Sequence, residues 1–252
     1  MIKVIIISKN ENLGSLEYLL KLFESFEIFL ISPKAIDSKY NQTNLTKIND
    51  SEILNFDKLK RNLKLEKFGW YYQQFLKYQS VLILEGEDFL IIDGDTILSS
   101  SFAKRNTLFT TGHKTVEKYS NLHKTLFPEH SLHGKSFITN QMVFNKKTLK
   151  KMIFDIEKNS KKKWIYALSD LVKNDPDKAF SEYQVYAEYV LNQKRNISIN
   201  KISVFRRMDL INDSVENAIK KYDILAYEPH HRTIFVHILR AKLYYFIGRG
   251  IG

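Results

Sequence analysis

The chain has 252 residues, 44% of them apolar and 13% aromatic, enough to bury a sizeable core in one large domain or two small ones. That composition excludes a disordered, collagenous or coiled-coil chain, and the absence of cysteine excludes a disulfide scaffold, a zinc ribbon and a cysteine nucleophile. A balance of 39 basic to 28 acidic residues gives a net charge of +11, which points to an anionic partner, although 31 of the 39 are lysine, as base-composition drift would also produce.

The first apolar run, Val4 to Ile7, is too short for a signal peptide and predicts a strand over Lys3 to Ser8. Leu16, Leu19, Leu20 and Phe23 recur at helical spacing, predicting a helix over Ser15 to Phe26. Glu27 to Ile31 predicts a second strand, stopped by Pro33. Helices are expected over Phe56 to Leu65 and Gly69 to Leu84. Phe89 to Ile92 is apolar without alternation, the pattern of a strand buried on both faces. Strand and helix alternate up to this point, which argues an α/β fold with a central, mostly parallel mixed sheet. Beyond Asp95 the pattern predicts a short strand within Ser136 to Asn145. Helices follow over Lys147 to Asn159, Lys163 to Lys173 and Ser181 to Asn192, then a strand-like Asn196 to Phe205. No repeat and no Pro/Gly/Ser linker divides the chain. Residues 1–232 therefore read as one domain, followed by a C-terminal amphipathic basic helix in residues 233–252.

Asp93-Gly94-Asp95 directly follows the buried strand. Ligands in open α/β sheets sit at the carboxyl ends of strands, and two carboxylates at i and i+2 there converge on a hard divalent cation. The glycine would let a phosphate or the metal approach the backbone closely. A polar turn after a strand has the same composition. An EF-hand loop starting at Asp93 fails, because Leu98 and Lys104 stand where Gly and Glu are needed. A haloacid-dehalogenase-type phosphatase fits poorly, because Thr96 comes one place early. Such a phosphatase, or a nucleotidyltransferase, remains the alternative enzyme.

In the preceding helix, Tyr72, Phe75 and Leu76 form a core face. Trp70, Gln74 and Lys77 form another, suited to a nucleotide or sugar or else simply solvated. In Ser181 to Asn192, Glu182 falls on the apolar arc while Glu188 points away. A carboxylate aimed at the packed side needs a partner or a job, although Ser181 could equally cap the helix with Glu182 favouring its dipole. No HExxH, P-loop, Gly-x-Gly-x-x-Gly or Gly-x-Ser-x-Gly pattern is present.

Taken together, Ile2 to Phe26, Gly69 to Lys77, Leu90 to Thr96, Phe137 to Phe144 and Phe180 to Tyr183 make the chain resemble bacterial GT-A-type glycosyltransferases of the DUF6492-like group, found in surface-polysaccharide gene clusters. The resemblance implies a nucleotide-sugar donor, Mn²⁺ or Mg²⁺, and a glycan or lipid-linked acceptor, in capsule or lipooligosaccharide synthesis. It implies metal ligands at Asp93 and Asp95, with His231 (or its neighbour His230) as a third. Donor contacts would come from Ser8, Lys9, Trp70, Gln74, Lys77 and Gly94, and acceptor contacts from Asn140 and Gln141. Glu182 is expected to take the acceptor hydroxyl proton if the reaction inverts, and to bind the acceptor if it retains configuration.

The charge is concentrated. Lys146 to Lys163 holds eight lysines against Asp155 and Glu157, and the last twenty residues add Arg240, Lys242 and Arg249 with no acid. In the final predicted helix, Thr233 to Ile247, Lys242 falls inside a wide apolar arc, where an interfacial helix would tolerate it. The expectation is a cytoplasmic protein peripheral to an anionic membrane surface. A non-enzymatic nucleic-acid binder is a third reading, which the basic charge and fourteen tyrosines permit, but without a recognition motif nucleic acid is not an expected partner.

Overall fold

Four consecutive apolar residues, Val4 to Ile7, cannot share one face of a strand, so the strand that holds them must be covered on both sides. The computed structural model describes residues 1–8, 14–33, 42–99, 102–193, 196–205 and 215–226. In chain order its elements begin with β1 (Ile2–Ile7), α1 (Gly14–Leu22), β2 (Ile28–Ser32), β3 (Leu45–Asn49), α2 (Asp50–Ile53), α3 (Phe56–Leu63), α4 (Phe68–Ile83) and β4 (Asp88–Asp93). They continue with β5 (Thr96–Leu98), β6 (Thr107–Thr110), α5 (Glu117–Leu126), β7 (Gln141–Asn145), α6 (Lys146–Ser160), α7 (Trp164–Asn174) and α8 (Glu182–Asn192). The last are β8 (Ser198–Lys201), β9 (Val204–Phe205), α9 (Val215–Ala218) and β10 (Ile224–Ala226).

Five strands form the central sheet in the order β3-β2-β1-β4-β7. β1 runs parallel to β2 and β4, and β2 parallel to β3, while β7 pairs antiparallel with β4. This is an α/β fold with a mixed, mostly parallel sheet. The alternation of side chains divides the interior in two. Val4, Ile6, Leu30, Leu90 and Ile92 pack with Leu16, Leu19, Leu20 and Phe23 on the α1 side. Ile5, Ile7, Ile31, Phe89 and Ile91 pack with Tyr72, Phe75 and Leu76 of α4 and with α6, α7 and α8 on the other. Two small sheets flank this layer, β5-β10-β9 and β6-β8.

Side-chain caps start several helices where the sequence carries Asn or Ser. Asn55 accepts from the Lys58 amide at 2.8 Å, and Asn145 from the Thr148 amide at 3.0 Å. The expected helices of the central region are all present, with ends shifted by a few residues. The first is shorter than expected and ends at Leu22. The expected 196–205 strand is two strands, β8 and β9, which join different sheets. Four strands and three helices were not expected, the helices being α5 and the four-residue α2 and α9. β3 is a half-exposed edge with polar residues, β5 and β10 have three residues each, and β6 has four, too short for a period to register. α5 buries only Leu122, His123 and Leu126. The C-terminal helix expected in residues 233–252 lies outside the described residues.

Candidate active site

The chain leaves β1 toward β2 on one side and later returns to place β4 on the other side of β1. The crevice between the carboxyl ends of β1 and β4 is therefore the point where strand order reverses, the place where open α/β sheets bind ligands. Asp93 is the last residue of β4 and lies opposite Ile7, the last of β1. The Gly94 amide donates to the Ile7 carbonyl at 2.8 Å, and the Ser15 hydroxyl to the Gly94 carbonyl at 2.9 Å. A Cβ on Gly94 would stand 2.6 Å from the Ser8 Cβ and 2.9 Å from the Ile7 oxygen. The glycine is thus demanded by the neighbouring strand, a cause different from the ligand approach expected for it. Ser8 is buried beside it and donates its own amide to Ile31 at 3.0 Å.

Asp93 is joined to two other charges brought from distant parts of the chain. The Lys77 ammonium, on α4, contacts the Asp93 carboxylate and lies 2.5 Å from Glu182 Oε1 at the start of α8. It also stands 4.3 Å over the Tyr183 ring. Lys77 and Glu182 are each only 3% exposed. Burial alone would drive the ammonium toward neutrality, but Asp93 and then Glu182 outweigh it and hold Lys77 well above its ordinary pKa. Burial pushes the Glu182 carboxyl up, Lys77 pulling the other way and Asp93 adding to the rise. Tyr183 is driven well above its usual value by burial and by Asp93.

The main chain around Glu182 is fixed from α4. Its amide donates to Gln74 Oε1 at 3.2 Å, and its carbonyl accepts from the Tyr78 hydroxyl at 2.7 Å. Ser181 caps α8 by accepting from the Gln184 amide at 3.4 Å. Capping and a buried ionic role, alternatives in the sequence, therefore coexist. The Trp70, Gln74, Lys77 face is not a solvated stripe, because Gln74 and Lys77 are buried; Trp70, two turns away, is 40% exposed and packs edge-on to Tyr71.

Asn140 adopts a left-handed conformation (φ 58°) and takes the Asp93 amide on its carbonyl at 3.1 Å. Its Nδ2 is 3.5 Å from Asp93 Oδ2, and its buried Oδ1 makes no hydrogen bond among the described residues. Gln141 turns inward, its Oε1 accepting from the Ala103 amide at 2.9 Å. The fold thus gathers Ser8, Gln74, Lys77, Asp93, Gly94, Asn140 and Glu182 around one strand end, leaves Trp70 at its edge, and has Asp95, half-buried, in the turn itself. Lys9, His230 and His231 lie outside the described residues. A cavity of about 510 Å³ among the ends of α5, α6 and α7 is lined by none of these side chains.

The model of a family of unknown function, DUF6492, matches residues 2–238. The chain belongs to the DUF6492 family. A solved structure of the galactosyltransferase LgtC, in complex with donor and acceptor sugar analogues, resembles this DUF6492 chain at 13% identity and a TM-score of 0.49, over 95% of this chain and 94% of that one. No curated protein matches the chain in sequence.

Among the described residues of this DUF6492 protein no three carboxylate, imidazole or thiol groups converge into a metal cluster. Asp93 already has Lys77 on one oxygen. Asp93 and Asp95 nevertheless fit a divalent ion that brings its own ligands, since Mg²⁺ is commonly held by one or two carboxylates with substrate phosphates and waters.

Two features of the site were not anticipated. The sequence suggests no role of its own for Tyr183, yet its ring carries the Lys77 ammonium, and its buried hydroxyl has no hydrogen-bond partner among the described residues. Glu188, expected to point away, is 1% exposed. It takes the His133 amide at 3.1 Å, His133 Nδ1 at 2.9 Å and Gln184 Nε2 at 3.2 Å, pinning the approach to β7 against α8. α8 is buried on nearly every side, so its helical period had no outward face for Glu188 to occupy.

Proposed function

We propose that this protein is a metal-dependent glycosyltransferase that moves a sugar from a nucleoside-diphosphate sugar to a glycan or lipid-linked acceptor, in the synthesis of bacterial surface polysaccharide on the cytoplasmic side of the membrane. The observation that carries the reading is the Asp93-Gly94-Asp95 turn at the carboxyl end of β4, beside the end of β1, with a buried cation held behind it. The motifs from Gly69 to Lys77 and from Phe180 to Tyr183, which carry the resemblance to GT-A-type enzymes, supply the residues packed against that turn.

Asp93 and Asp95 would hold Mn²⁺ or Mg²⁺, whose charge stabilises a departing nucleoside diphosphate. The chain's own residues do the rest. Lys77 fixes the Asp93 carboxylate and keeps a buried positive charge beside it, where it counts for more than at a surface. Asn140 fixes the Asp93 main chain through its carbonyl and holds its side-chain amide 3.5 Å from Asp93 Oδ2. Trp70 lies at the edge, exposed enough to cover a base or a sugar face.

We assign Glu182 to positioning. Its burial, its ion pair and the two α4 hydrogen bonds on its main chain leave little access for an acceptor hydroxyl, while they keep Lys77 on Asp93. The proton-acceptor role is the alternative, and its loss would lower turnover about 10²–10⁴-fold.

The reading is tested with Asp93→Asn and Asp95→Asn, assayed against a panel of nucleoside-diphosphate sugars and simple phosphate esters with Mn²⁺ or EDTA. Both variants should fold and should lose metal-dependent transfer. Full activity in the double variant, undiminished activity in EDTA, or turnover of phosphate esters alone would refute it.

A further inference from the structure

α6 buries Thr148, Leu149, Met152, Ile153 and Ile156 and turns a different face to solvent. Lys147, Lys150, Lys151, Phe154 and Lys158 are all exposed and fall within an arc of about 100° on that helix. Lys161 follows at its left-handed cap. Phe154 stands at the middle of the stripe with 63% of its surface exposed. Lys151 is tied to Asp155 and Tyr189. Lys147, Lys150, Lys158 and Lys161 make no ion pair among the described residues, whereas Lys162 and Lys163 beyond them are paired with Asp170 and Glu157.

We propose that this face of α6 is a contact surface for an anionic lipid bilayer, with Phe154 entering the interface and the surrounding lysines meeting the headgroups. At a bilayer the two residue types act together, because lysine stems lie along apolar surface while their ammonium groups stay in the polar layer. A helix of this length lying flat puts every lysine of the stripe at one depth, the geometry of an interfacial helix with a charged face. Single-stranded nucleic acid is the poorer fit. It favours a groove with successive aromatic platforms for stacking, and the stripe is convex, with one aromatic and no arginine. No helix among the described residues is long and apolar enough to cross a membrane, so the contact is along the surface. The proposal does not rest on glycosyl transfer and stands or falls apart from it.

The test is co-sedimentation of the full chain at low salt with vesicles of phosphatidylcholine alone or mixed with phosphatidylglycerol. The variants are Phe154→Ser and the double substitution Lys150→Gln with Lys158→Gln, both at exposed positions. The protein should bind only the anionic vesicles and release them at high salt, where screening shortens to a few ångströms. The double lysine variant should bind about thirtyfold more weakly, and Phe154→Ser about tenfold more weakly. Circular dichroism and Tm should be those of the parent. Three results overturn the proposal: a parent protein that ignores anionic vesicles, variants that bind them as the parent does, or a single-stranded oligonucleotide captured with the same lysine dependence while vesicles are not.

Discussion

Lys77 is the residue on which the site turns. An ammonium that is 3% exposed survives only because two carboxylates and a tyrosine ring surround it. Glu182 contributes one of those carboxylates, and the positioning role gives it a distinct signature. Glu182→Gln should lower kcat by about tenfold or less and leave the acidic limb of the pH–rate profile in place, because no proton acceptor has been removed. A loss of about 10²–10⁴ together with the disappearance of that limb would restore the proton-acceptor role. The presence of Glu182 on the packed side could be read from helical spacing. Its partner could not, since Lys77 lies 105 residues away and nothing local ties the two.

At the scale of elements, the decisive contact is the seam between the ends of β1 and β4. Gly94 has no room for a side chain because the atoms in its way are the Ile7 and Ser8 main chain and the Ser8 Cβ, none of which can swing aside. Gly94→Ala should splay the two strand ends, cost about 1–3 kcal/mol and, under the proposed function, abolish nucleotide-sugar binding. Gly69, in the first turn of α4, has open space on its side-chain side, with no atom within 4 Å of where a Cβ would stand. Gly69→Ala should therefore gain about 0.5–1 kcal/mol through helix propensity. Paired urea titrations measure both, and a tolerated Gly94→Ala would show that the seam is looser than its geometry requires. α4 itself illustrates why one helix can serve both core and site. Its Tyr72, Phe75 and Leu76 face the interior as expected, while Gln74 and Lys77 are buried under α8 instead of facing water.

For the molecule as a whole, stability should depend on acid through a region away from the site. Burial holds the His123 ring neutral down to about 3, assisted by His130, whose Nδ1 lies 3.2 Å from His123 Nε2. Unfolded histidine titrates near 6.5. Between these values the unfolded chain binds a proton that the native chain refuses, so the His123 contribution is complete above 6.5 and is lost as pH falls toward 3. The slope is about 1.4 kcal/mol per pH unit, or about 2 kcal/mol by pH 5. Burial lowers His130 as well, with the same sign. His123→Phe keeps a ring against Phe127 and should shrink the stability difference between pH 7 and pH 5 by about 2 kcal/mol; an unchanged difference would mean that the ring is protonated in the native state. The amino-acid sequence by itself determined the class of the fold, because unbroken apolar runs such as Phe89 to Ile92 leave a strand no choice but burial on both faces. It also determined the place of the acidic turn, because Asp93 is the first polar residue after that run. Only the tertiary structure decided that Gly94 answers to β1, that Lys77 and Glu182 form a buried ion pair, and that Glu188 is buried. Each depends on a contact between segments far apart in the chain, and local spacing reports which side of an element a residue occupies, not what the fold brings to meet it.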